Sequence, residues 1–265
     1  MPFADLGGHA AHYRLAGTPG APRLVFANSL GSDLRIWDEV TAALAPDFAI
    51  LGYDMRGHGL SGLGAEAPSI ADLADDLLKL MDVVGWPSAA LVGVSVGGLV
   101  AQAVALAAPT HVDALVLMDT AARIGSRQSW NERIAAVETG GLPAIAETVA
   151  TRWFSAGFAA RRPAEFTGWR TMLERIPAAG YADICRALRE ADLTEAVGAI
   201  TVPTLVLCGE EDVPTPPALA RATAERIPGA RFTLIEKAGH IPGLEHPRAV
   251  ADLVRAHWKE VAHGR

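Results

Sequence analysis

The stretch Gly93-Val94-Ser95-Val96-Gly97 stands between a short apolar run, Ala89 to Val94, and an apolar segment of helical character that begins near Gly98-Leu99. A G-x-S-x-G string at a strand-to-helix turn can do chemistry for three reasons. The sharp turn lifts the serine hydroxyl clear of the sheet, the flanking glycines leave room for a backbone that side chains would obstruct, and the next N–H, that of Val96, faces a reacting oxygen. Alone, the string also fits a phosphate-binding or packing turn. The strand before it and the helix after it point to Ser95 as a nucleophile.

A serine hydroxyl attacks poorly at neutral pH, so a histidine must take its proton and an acid must fix that histidine's tautomer. The chain order expected for such a turn is serine, acid, histidine. Of eight histidines, His240 in Ala238-Gly239-His240 is the candidate base, on a loop just after the last expected strand. His58, in Asp54-Met-Arg-Gly-His-Gly, reads as a turn-stabilising residue, and His9, His12, His111, His246, His257 and His263 read as surface or capping residues. Two acids compete. Asp212 follows Thr204-Leu-Val-Leu-Cys208 and precedes the rigid Val-Pro-Thr-Pro-Pro, whereas Asp119 follows the strand one unit earlier; the rigid segment favours Asp212. A second donor to an oxyanion is expected from the loop Asn28-Ser29-Leu30-Gly31, with the Leu30 N–H the candidate, although a plain strand-to-helix loop would read the same way.

These positions need a scaffold that brings loops together at one edge. Apolar runs at Arg23 to Asn28, Phe48 to Asp54, Ala89 to Val94, Val112 to Met118, Thr204 to Cys208 and Ala230 to Glu236 alternate with helical patterns. That rhythm predicts a mostly parallel sheet with helices on both faces. The first twenty or so residues, around Gly7-Gly8, suit an antiparallel hairpin at the sheet edge and bring the expected count to eight strands. Ser69-Ile-Ala-Asp72 reads as a capping box opening a helix that Gly85 and Pro87 close. From about Thr120 to Glu195 the strand rhythm gives way to helical patterns broken at Gly140-Gly141, Pro163 and Pro177. The expected organisation is therefore a core of residues 1–119 and 196–265, with a helical cap inserted at 120–195.

Composition narrows the function. The 265 residues are 50% hydrophobic and 20% charged with a net charge of −7, the profile of a core-forming chain. No basic run exceeds Arg161-Arg162, so nucleic acid is not expected as a partner. Cys185 and Cys208 lie in no C-x-x-C and read as buried thiols, not as a disulfide or zinc site. With no secretory signal and no apolar stretch of membrane-spanning length, a cytoplasmic location without a membrane partner is expected. The sequence leaves homo-oligomerisation open.

The whole chain resembles the α/β-hydrolases, and within them the 3-oxoadipate enol-lactonases. The closer likeness rests on Ala27-Asn-Ser-Leu-Gly-Ser-Asp-Leu-Arg-Ile-Trp37, on Asp119-Thr-Ala-Ala-Arg-Ile-Gly125 with Trp130-Asn-Glu-Arg-Ile134, and on Gly180-Tyr-Ala-Asp-Ile-Cys185. Val96, where these lactonases often carry methionine, and Ile241-Pro-Gly-Leu after the histidine depart from the family pattern without removing a catalytic group. The resemblance implies an α/β-hydrolase fold that hydrolyses a small anionic enol-lactone to 3-oxoadipate, in the β-ketoadipate route of aromatic-compound degradation. It implies no metal or organic cofactor, and gives Ser95, His240 and Asp212 the catalytic roles with Leu30 and Val96 as oxyanion donors. Other small-ester, C–C-bond or peroxyacid-forming hydrolases share this machinery, and a ligand receptor on the same fold is a further alternative. Residues 120–196 hold ten arginines against nine acidic residues, so the proposed cap is less negative than the body and suits an anionic ligand. Trp130 and Arg133 are the candidate wall and anion contacts, with Arg123 and Arg127 as rivals.

Overall fold

The computed structural model describes residues 2–263; Met1, Gly264 and Arg265, at the outer ends of the expected core ranges, lie outside the described residues. Strands β1 (Phe3–Asp5), β2 (Ala10–Gly17), β3 (Arg23–Ala27), β4 (Ala49–Tyr53), β5 (Ala89–Val94), β6 (Val112–Met118), β7 (Thr204–Gly209) and β8 (Arg231–Ile235) form one sheet in the order β1-β2-β4-β3-β5-β6-β7-β8. The β1–β2 hairpin and the β2–β4 pair are antiparallel, and β3 to β8 run parallel. At the centre, Val92 pairs with Phe26 on β3 and Val116 on β6. Every residue of β5 is buried, as a strand covered on both faces requires, whereas the edge strand β8 fully buries only Ile235.

Helices α1 (Asp38–Leu44), α2 (Ile70–Val83) and α3 (Val96–Ala107) alternate with the first strands. Five helices lie between β6 and β7: α4 (Arg127–Gly140), α5 (Ala146–Trp153), α6 (Phe158–Arg161), α7 (Pro163–Glu174) and α8 (Ala178–Glu190). α9 (Pro217–Arg226) joins β7 to β8, and α10 (Pro242–Glu245) and α11 (Pro247–His263) follow. α1 packs on α11, and α2 packs on α3, which lies against β3, β5 and β6. The expected capping box opens α2, with Ser69 accepting from the Asp72 N–H and Asp72 from the Ser69 N–H. The expected helix breaks also fall where the chain turns. α4 ends at Gly140, α7 begins at Pro163, and α8 begins directly after Pro177.

The parallel strands end on one edge of the sheet, where the loops after β3, β5, β6, β7 and β8 carry Leu30, Ser95, Asp119, Asp212 and His240 in turn. Three histidines depart from their expected surface or capping roles: the His9 side chain is buried with Nε2 3.6 Å from Asp76 Oδ2. His12 is buried on β2, its Nδ1 2.7 Å from Asp54 Oδ2, and His257 is buried on α11 beside Val250, Val254 and Val261. Helical spacing puts His257 on that inward face, and a single histidine carries no pattern of its own to announce it. Among the described residues no helix is long and apolar enough to cross a membrane.

Candidate active site

Ser95 sits at the junction of β5 and α3 with φ 58° and ψ −121°, a conformation that non-glycine residues rarely hold and that costs about 1–3 kcal/mol. Its surroundings enforce it. The Ser95 N–H donates to Met118 O at 3.0 Å, and its carbonyl accepts from Gly98 N at 2.9 Å and from the Thr120 hydroxyl at 2.6 Å. The flanking glycines are a matter of space: a Cβ at Gly93 would lie 2.3 Å from Gly97 O, and one at Gly97 would lie 2.3 Å from Ala27 O. Close approach of α3 to the ends of β3 and β5 therefore requires the motif, and this approach presents the serine. Its hydroxyl makes no side-chain hydrogen bond among the described residues and is free to turn.

His240 is 3% exposed, and its Nδ1 lies 2.9 Å from Asp212 Oδ1. Thr215, inside the rigid segment after Asp212, donates its hydroxyl to Asp212 Oδ2 at 2.6 Å and its N–H to Oδ1 at 3.1 Å. Burial works against the Asp212 charge. The nearby His240 and the hydrogen bonds from His240 and Thr215 outweigh it and hold the carboxyl below its usual range. The rival acid, Asp119, is fully buried at φ 47°, accepts from Gly209 N at 2.8 Å, and among the described residues makes no hydrogen bond to His240. Burial, and then the charge of Asp212, push its carboxyl well above the usual range and favour its neutral form. The two carboxyls are thus pushed in opposite directions, and of the two it is Asp212 that reaches the imidazole.

The loop after β3 is pinned on both sides. Asn28 donates from Nδ2 to Tyr53 O at 2.6 Å and accepts the Trp37 indole N–H at 2.9 Å. His58, fully buried, accepts the Gly31 N–H on Nε2 at 3.1 Å, which leaves Nδ1 as the donor to Arg56 O at 3.2 Å. Burial lowers its pKa and favours this neutral form. The loop so held lines the site with Ser29 and Leu30. Among the described residues no turn or loop hydrogen bond takes up the Leu30 or Val96 N–H, so both donors remain available.

A cavity of about 130 Å³ joins these groups, lined by Leu30, Ser95 and His240 on the sheet side and by Trp130, Arg133, Val149, Arg152, Trp153 and Tyr181 from the helices between β6 and β7. Trp130 is fixed as a wall by its indole N–H, which donates to Ile124 O at 2.7 Å. Arg133 reaches the cavity and donates to the Tyr181 hydroxyl at 2.9 Å. The rivals face away from it, Arg123 in an exposed ion pair with Asp192 and Arg127 in one with Glu190. Among the described residues no carboxylate lines the cavity.

Sequence reading missed several of these residues. Thr215 lay in plain view inside the rigid segment, but a hydroxyl's partner is set by three-dimensional placement. Glu245 is a buried carboxylate that accepts the Gly239 N–H at 2.7 Å and both the N–H and the hydroxyl of Ser155, tying the His240 loop to the end of α5. Arg152 was one of ten arginines in its segment, with no local motif to separate it from the rest. An acyl group placed in this cavity would meet a hydroxyl, an oriented imidazole and two free backbone donors, the set that acyl transfer requires.

Residues 24–253 match the model of the alpha/beta hydrolase family, and the chain belongs to that family. It is 35% identical to 3-oxoadipate enol-lactonase 2 of Acinetobacter baylyi, over 94% of this chain and 93% of that protein. The enol-lactonase of Burkholderia xenovorans LB400 superposes with a TM-score of 0.95 at 36% identity, covering 97% of this chain and all of that one. A protein of Azorhizobium caulinodans assigned as carbamate hydrolase RutD is 29% identical over 91% of each chain. The chain is thus a hydrolase of this fold, similar to enol-lactonases along nearly its full length.

Proposed function

We propose that the protein opens a small enol-lactone bearing a carboxylate, with 3-oxoadipate enol-lactone as substrate and 3-oxoadipate as product, within the breakdown of aromatic compounds. The observation that carries the reading is the meeting of Ser95 and the His240–Asp212 pair on one small cavity. The likeness to two enol-lactonases then narrows the ester to a lactone.

Ser95 Oγ attacks the ring carbonyl while His240 Nε2 takes its proton, and Asp212 holds the imidazole and stabilises the imidazolium that forms. The N–H groups of Val96 and Leu30 receive the oxyanion. Collapse of the tetrahedral adduct breaks the ring C–O bond, and His240 returns the proton to the departing enol oxygen. The enol, still attached through the acyl chain, tautomerises to the ketone. Water activated by His240 then hydrolyses the acyl-serine. The helices between β6 and β7 act as a cap that closes the reacting carbonyl off from bulk water.

Steady-state ring opening with the purified protein tests this, using the enol-lactone against a panel of simple lactones, an aryl ester and a carbamate. The expected result is the highest kcat/KM on the carboxylate-bearing enol-lactone. A higher value on the carbamate, or on uncharged esters, would overturn the reading.

A further inference from the structure

Arg152, on α5, lines the same cavity as Ser95, and among the described residues it forms no ion pair. Among the described residues, six of the ten arginines between positions 120 and 196 form ion pairs with carboxylates. Two more lie elsewhere. Arg161 donates to Ala156 O and the Ser155 hydroxyl, and Arg175 lines a separate cavity beside Met172 and Ile176. The remaining two, Arg133 and Arg152, both line the cavity that holds Ser95 and His240.

Their arrangement is unfavourable as it stands. The Nε of Arg152 is buried with no hydrogen-bond partner among the described residues, and burial followed by the neighbouring Arg133 charge lowers the Arg152 pKa. Arg133 spends one N–H on Tyr181, whose own hydroxyl is buried. The carboxylate whose field reaches Arg152 is Asp212, but its oxygens are committed to His240 and Thr215. A half-buried like-charge pair with an orphaned donor is costly unless something anionic completes it. Each guanidinium presents a planar fork that matches the two oxygens of a carboxylate.

We propose that Arg152 and Arg133 together form the carboxylate-recognition subsite. The ligand class is a small monocarboxylate whose ester or lactone carbonyl reaches Ser95 while its free carboxylate lies between the two guanidiniums. This deepens the lactonase reading and rests on it for the identity of the scissile bond. It also accounts for the spared charges, since an enzyme for neutral esters gains nothing from keeping two unpaired arginines beside the nucleophile.

The test compares wild type with Arg152→Met, which keeps an apolar stem in place of the arginine's, with Arg152→Lys, and with Arg133→Met. Each is assayed on the carboxylate-bearing enol-lactone and on its methyl ester. In both Met variants the ratio of kcat/KM for the acid over that for the ester is expected to fall about 10- to 100-fold, mostly through KM, with Arg152→Lys recovering part of it. Equal losses on the two substrates would make the arginines structural and overturn the proposal. Butyrate supplies an independent readout, as an inhibitor of p-nitrophenyl acetate hydrolysis. It is expected to compete in the wild type and to lose at least tenfold in potency in Arg152→Met. If wild type opens neither lactone, the lactonase reading fails, and the butyrate measurement still decides the subsite: unchanged inhibition in both Met variants would refute it.

Discussion

Thr215 donates its hydroxyl to Asp212 Oδ2 at 2.6 Å while His240 Nδ1 lies 2.9 Å from Oδ1, so one buried carboxylate is divided between a fixed anchor and the imidazole it orients. Thr215→Val keeps the shape but removes a donor to a charged group, an interaction worth about 1.5–3 kcal/mol. kcat/KM is expected to fall about tenfold or more, with Thr215→Ser near wild type. Full activity in the valine variant would show that the rigid segment alone holds the acid.

The two acids separate by their contacts and by the direction in which burial and charge push them. Asp212→Asn should cost on the order of 10⁴ in kcat, since an amide favours the wrong imidazole tautomer. Asp119→Asn keeps an oxygen that can accept from Gly209 N and leaves Asp212 on His240, so kcat is expected to stay within about tenfold of wild type. Asp119 also makes a pH prediction. Its folded pKa is raised, so its contribution to stability is complete below the unfolded value of 3.8 and is lost as pH rises toward the folded pKa. The Tm of Asp119→Asn relative to wild type should therefore be higher at pH 7 than at pH 4. A difference that is flat with pH would mean that Asp119 is ionised in the folded protein.

His58 titrates in the opposite sense. Burial lowers its pKa, so below the unfolded value of 6.5 the unfolded chain takes up a proton that the folded site refuses, and stability falls as pH drops from about 6.5 toward the folded pKa. His58→Ala should flatten that part of the stability profile. It also leaves the Gly31 N–H without its acceptor and loosens the loop that presents Leu30, for an expected loss of about 10- to 100-fold in kcat, within the range of removing one oxyanion donor. Thermal melts between pH 5 and 7, paired with single-turnover rates, separate the two effects. An unchanged profile would place the acid sensitivity on His257 or His9, whose pKa values burial also lowers.

Much of this was legible because the local signals agree with the global fold. The apolar runs map onto β3 to β8 within a residue or two, since the central strands, covered on both faces, are apolar nearly throughout. Ser95 and His240 were legible for the same reason: each follows such a run directly, and in a parallel sheet every run ends on one edge. What stayed hidden are contacts whose partners lie far apart in the chain. Glu245 meets Ser155 across 90 residues, and the isolation of Arg152 appears only once the other arginines have found their acids. His12 and Asp54 likewise meet only because β2 pairs with β4.

The strain at Ser95 predicts a split between stability and activity. Ser95→Ala should fold like wild type and lose about 10³- to 10⁶-fold in kcat, since the acyl-accepting oxygen at the β5–α3 turn is removed. Ser95→Gly is equally inactive but relieves a φ of 58° that a side chain holds at a cost of about 1–3 kcal/mol. Glycine is therefore expected to melt above alanine by about 2–4 °C for each kcal/mol recovered. A glycine variant that melts below alanine would mean that the hydrogen bonds from Thr120 and Gly98 make the turn unstrained.

Glu245 couples the base to the helices above it. It accepts the N–H of Gly239, the residue before His240, and both polar groups of Ser155, just beyond α5. The packing there is close, since a Cβ on Gly239 would lie 2.5 Å from the Phe154 carbonyl carbon. Glu245→Ala strands three buried donors and is expected to cost about 1–3 kcal/mol or more. Because α5 also carries Arg152, the His240 loop and the proposed carboxylate subsite should loosen together, lowering kcat and raising KM in one variant. Ser155→Ala removes the hydroxyl contact while leaving Gly239 held, so it should raise KM with a smaller change in kcat. If both variants changed kcat alone, Glu245 would serve only the His240 loop, and the link to the helices would carry no functional weight.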